Sequence, residues 1–94
     1  MGNAPKEEHM NKQNILKLTE AAHDLVADAT SKEELEALAE LALGAKQVLD
    51  YSSLHTDLGQ DLLEFAQLKR DGYADQANKF SGMVQDELKQ LKAQ

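Results

Sequence analysis

The chain has 94 residues, with 17 Asp and Glu against 10 Lys and Arg, a formal charge of -7, an isoelectric point near 4.8 and a mean hydropathy of -0.57. With no Cys at all, a disulfide scaffold and a thiolate metal site are excluded; the acidic balance also argues against direct nucleic-acid binding. No run approaches the ~18 apolar residues of a membrane span, so one small domain with a thin core is expected.

Met1 to Met10 show no hydrophobic period. The Met-Gly start would suit myristoylation, but Lys6 stands where that signal wants Ser or Thr. His9-Met10 is what a common cloning site leaves before a start codon. Residues 1–10 are therefore expected to be disordered, with Met1 to His9 derived from cloning, the natural start at Met10 and a single domain over 11–94. Neither a hydrophobic signal core nor a twin-Arg pair is present, which points to a cytoplasmic location.

From Asn11 the period is helical. Ile15, Leu18, Ala22, Leu25, Val26 and Ala29 form one stripe of a first helix over about 11–29. Ser31 and Glu34 then form a capping box that opens a second helix to about Asp50. Leu35, Leu38, Ala42, Ala45 and Leu49 make its stripe, while Leu41, Leu43 and Val48 lie off it on both flanks. A helix this widely apolar is either central in a bundle or half of a second interface.

Asp50 to Ser53 reads as a turn. A third helical stretch carries Leu54, Leu58, Leu62, Phe65 and Ala66 on one face and stops at Lys69-Arg70-Asp71-Gly72, where Gly72 can take the left-handed cap. The fourth starts near Tyr73 with Ala77, Phe80, Val84, Leu88 and Leu91 in line; Gly82 is a mild weakness inside it. Strand patterns and internal repeats are absent. The expected fold is all-α, a small antiparallel (up-down) four-helix bundle, with a spare apolar face that leaves room for a dimer.

Motifs for chemistry are sparse. Glu20 and His23 have the Glu-x-x-His spacing of di-iron bundles, but they fall about 160° and about 100° from the stripe centre, so neither is expected to face the core. No metal site and no cofactor are expected. The run His23 to Ala29 resembles histidine phosphotransfer domains, four-helix bundles with an exposed phosphoryl-accepting His. That resemblance implies phosphorelay through His23, although Val26 and Ala27 replace the Lys and Gly usual after that His. Thr56 to Glu64 resembles the attachment loop of acyl carrier proteins, yet Leu62 stands where the modified Ser belongs. Oxygen-ligand calcium loops, nucleophile elbows and phosphate-cradling Gly loops are missing, so an enzyme is not expected.

Charge is the stronger signal. From Glu20 to Glu64 eleven acids face only Lys32 and Lys46, a local net of -9, whereas the stretch from Lys69 onward nets +1. The expected function is non-catalytic binding of a partner protein, as a regulator, inhibitor or adaptor. Leu41, Leu43 and Val48 are the candidate apolar contacts, with Glu36 and Glu40 on the charged surface beside them. A second candidate region holds Tyr51, His55, Asp57 and Asp61. The order and length of the helices are similar to pediocin-like bacteriocin immunity proteins, a resemblance of layout that implies a protective, peptide-directed role.

Overall fold

A computed structural model describes residues 11–52, 54 and 56–94; the expectations for residues 1–10 and for His55 fall outside the described residues. Four helices follow in order: α1 Lys12–Asp28, α2 Lys32–Tyr51, α3 Leu58–Arg70 and α4 Ala74–Ala93. No strand occurs among the described residues. The chain is an all-α four-helix bundle.

Local chemistry accounts for the helix ends. Asn11 caps α1 by accepting from the Asn14 amide at 2.8 Å. Ser31 accepts from the Glu34 amide at 3.1 Å while the Glu34 carboxylate accepts from the Ser31 amide at 3.2 Å, the reciprocal capping box read from the sequence. The α3 C-terminus closes through Gly72 at φ 91°, with Gly72 N–H donating to Lys69 and Tyr73 N–H to Leu68. This paired closure needs a left-handed residue, which is why Gly stands there.

Interhelical contacts fix the directions. Lys92 near the end of α4 reaches Glu20 of α1 at 2.7 Å, while Ser81, earlier on α4, meets His23, later on α1, so these two run antiparallel. Lys69 near the end of α3 donates to the Val26 and Ala27 carbonyls at 2.8 and 2.7 Å, so α1 and α3 end together. No basic residue lies in the last turn of α1 itself. Lys69 therefore supplies from another helix the cation that the negative helix end favours. At the opposite end Gly59 of α3 lies so close to α2 that a Cβ there would sit 2.9 Å from the Lys46 Cα. Only glycine allows α2 and α3 to approach this tightly.

Both α1 and α3 touch every other helix, while α2 and α4 do not meet among the described residues. Of the two readings of α2, central helix or half of a second interface, the first does not hold: α3 is the middle helix of the chain α2–α3–α4, and α1 lies across all three. Phe65, Leu58 and Leu62 of α3 are fully buried with Leu49, Val26 and Val84.

The α1 stripe is also rotated from the one read in the sequence. Leu25 is 51% exposed, whereas Leu16, Thr19 and His23 are buried. Hydropathy favoured Leu25, but packing against both α3 and α4 turns α1 toward residues that bring their own hydrogen-bond partners. Thr19 satisfies its hydroxyl on the Ile15 carbonyl at 2.9 Å. Leu54 falls in the connection before α3 instead of on the helix, yet it still packs against the core.

Candidate partner-binding site

Six of the sequence candidates lie on α2, Tyr51 at its very end, and the helix separates the other five. Glu36, Glu40 and Leu43 line one open groove of about 680 Å³ between α2 and α3, together with Ala39, Leu63 and Gln67. Lys32, Arg70 and Asp71 form the end of that groove. Arg70 is engaged by Asp71 at 2.9 Å, which holds the Asp71 carboxyl below its usual range and raises the guanidinium above its own. Leu43 is 44% exposed, so this groove offers a large apolar side chain between carboxylates.

Leu41 is also exposed, but it lies about 160° from Leu43 around the helix and belongs to the opposite flank. Val48, seven residues on from Leu41, is half-buried and packs against the core. The three apolar candidates thus divide between the two flanks of the helix: Leu43 stands with the two Glu residues, and Leu41 and Val48 do not.

The second candidate region gathers a different set. Tyr51 is 75% exposed at the end of α2, Asp57 is exposed at the N-cap of α3, and Asp61 is buried one turn later. Glu87 of α4 joins them, accepting from the Thr56 hydroxyl at 2.5 Å. Thr56 in turn accepts from the Leu58 amide at 3.1 Å, so one hydroxyl ties the start of α3 to α4. Asp50, Ser52, Leu54, Thr56, Asp57 and Glu87 line an open depression of about 630 Å³ at this end. Burial raises the Asp61 carboxyl above its usual range, and the nearby charges of Glu87, Asp57 and Glu64 add to the effect.

His23 occupies a third place. It is 3% exposed, correcting the expectation that it points away from the core. Its Nε2 lies 2.7 Å from the Ser81 hydroxyl and its Nδ1 3.1 Å from Asp24. The ring also packs on Phe65 at 5.1 Å between centroids. With the proton on Nδ1, the imidazole donates to Asp24 and accepts from Ser81. A phosphoryl acceptor needs an exposed ring nitrogen, and both nitrogens of His23 are engaged. Carboxylate, imidazole and hydroxyl also stand in the order of an activated serine. However, the Ser81 and Gly82 amides lie inside α4, where helix bonding occupies them and no backbone oxyanion hole forms. His23 works here as a tie between α1 and α4. Glu20, its partner in the di-iron spacing, is paired to Lys92 on the outside.

Among the described residues no group of three or more His, Asp or Glu is placed to hold a metal ion, and no helix is long and apolar enough to cross a membrane. Glu87, Leu63 and Gln67 were not singled out in the sequence. Their contribution comes from helices that only the tertiary fold brings alongside. The chain has no significant match among protein-family models, curated proteins or solved structures.

Proposed function

We propose that this protein is a non-catalytic binding protein that docks a partner protein in the groove between α2 and α3. The observation that carries this reading is the juxtaposition of exposed Leu43 with Glu36, Glu40, Ala39 and Leu63 in one groove. An amphipathic helix with an apolar ridge and flanking Lys or Arg fits that chemistry: the ridge covers Leu43 and Leu63, and the bases meet Glu36 and Glu40. The strongly acidic segment from Glu20 to Glu64 would also draw such a basic partner toward this side of the bundle.

The test uses the full chain as bait in an extract of its own host, beside Leu43→Asp and a Glu36→Lys/Glu40→Lys double variant. All three sites lie on the surface, so helicity by circular dichroism should be unchanged. A partner held by the wild type and lost from both variants supports the groove. Capture that survives both variants sinks it. Light scattering of the free protein separates a foreign partner from a second copy of the chain.

A further inference from the structure

The end of the bundle around Asp61 has a feature that its acidity alone does not explain. Asp61 is only 7% exposed, yet no hydrogen bond or ion pair reaches its carboxyl among the described residues. Among the described residues every fully enclosed polar side-chain atom has a partner. The Asp61 oxygens therefore keep a narrow contact with solvent. Natural proteins seldom hold a buried carboxylate unpaired, because desolvation is costly without a compensating partner.

The surroundings decide what could reach that carboxylate. Asp57, Glu64 and Glu87 all add negative charge at Asp61. Among the described residues none of these four acids is in an ion pair: Lys46, which packs on Gly59 of α3, is held by Asp50 at 2.6 Å, and Lys69 is held by the Val26 and Ala27 carbonyls at the other end of α3. A metal ion is disfavoured, since no three acids or His are arranged as ligands among the described residues. A side-chain cation needs less, namely one unpaired carboxylate with like charges around it and an apolar flank for its methylene stem. Met83 supplies such a flank, being 45% exposed one helical turn before Glu87 on α4.

We propose that the α3/α4 seam at Asp61 is a receptor for a lysine or arginine side chain presented by a basic protein segment. This seam lies on the other side of α3 from the Leu43 groove, so it is a second contact, independent of the first. It names the partner's chemistry there: a cation inserted between Asp61 and Glu87, with its stem toward Met83.

Acetylated hexalysine amide serves as the probe, titrated into the full chain at low ionic strength and followed by amide chemical shifts and calorimetry. The expected result is a set of shifts centred on 57–64 and on Glu87, with affinity reduced about tenfold in Asp61→Asn. Glu87→Gln should weaken binding in the same direction. Asp28→Asn changes the net charge equally at a distant site and should leave affinity nearly unchanged. Equal weakening by Asp28→Asn and Asp61→Asn would reduce the binding to diffuse attraction and overturn the proposal. So would shifts confined to α2, or shifts at Asp61 that magnesium or calcium chloride produces at matched ionic strength and the peptide does not. Because the Leu43 variants leave this seam intact, their failure and that of Asp61→Asn are distinguishable.

Discussion

His23 and Asp61 are two buried polar side chains in one small bundle, and the fold treats them differently. His23 has a partner for each ring nitrogen, Asp24 and Ser81, and an aromatic face to pack on. Asp61 is nearly as buried, but it faces three further acids and takes no hydrogen bond among the described residues. A satisfied buried group fixes how helices meet, here α1 against α4. An unsatisfied one weakens the isolated fold, and its retention is understandable where something from outside completes it.

Removing His23 should therefore have the largest effect. His23→Ala opens a void beside Phe65 and leaves the Ser81 hydroxyl without its partner, so a loss of about 2–4 kcal/mol is expected. Urea denaturation would measure it. A change within experimental error would mean that the α1–α4 tie is not made in solution, and the contrast with Asp61 would collapse.

Asp61→Asn should move stability the other way. The amide keeps the shape and removes the charge that burial and three neighbouring acids disfavour. The positive end of α3 opposes the change, since it favours a carboxylate in the first turns by about 0.3–1 kcal/mol. The net gain should then be modest, on the order of 0.5–1 kcal/mol, with the thermal midpoint rising by a few degrees. A fall in the midpoint would show that the carboxylate has a stabilising partner in solution. The gain in stability alongside a loss of hexalysine binding would mark Asp61 as a residue kept for contact.

The sequence reveals one of these residues better than the other. Helix order, the Ser31 capping box and the Gly72 closure depend on neighbours within a few positions, so periodicity and local chemistry are enough to place them. Leu43 with Glu36 and Glu40 was equally legible, because three- and four-residue spacings put them on one side of α2. The orientation of α1 was not. A hydropathy stripe ranks Leu25 above His23, and nothing near His23 in sequence announces that Ser81, 58 residues away, will satisfy it. Asp57 and Asp61 were visible as an acidic pair one turn apart, but Glu87 comes from another helix and only packing brings it alongside. Gly59 carries the same lesson: its need is set by the Lys46 backbone of α2, and not by any local turn.

The smallest effect is also the one that separates the two kinds of carboxylate in this protein. Glu34 accepts from the Thr30 and Ser31 amides, which lowers its proton affinity below the ordinary value of 4.5. Its contribution to stability is complete above that value and is lost as pH falls through the lowered one. Asp61 is raised above its ordinary 3.8, so the native state takes up a proton before the unfolded chain does. Its penalty is complete above the raised value and is relieved as pH falls toward 3.8. Midpoint differences from wild type, measured from neutral pH down to strong acid, should therefore approach zero from opposite sides. The Asp61→Asn gain should shrink as pH falls through the raised value toward 3.8, while a Glu34→Gln variant keeps its small loss until pH drops below 4.5. If the Asp61→Asn gain instead persisted unchanged to strong acid, charge would not be its cause, and the unpaired carboxylate would lose its place as the complement of a partner's cation.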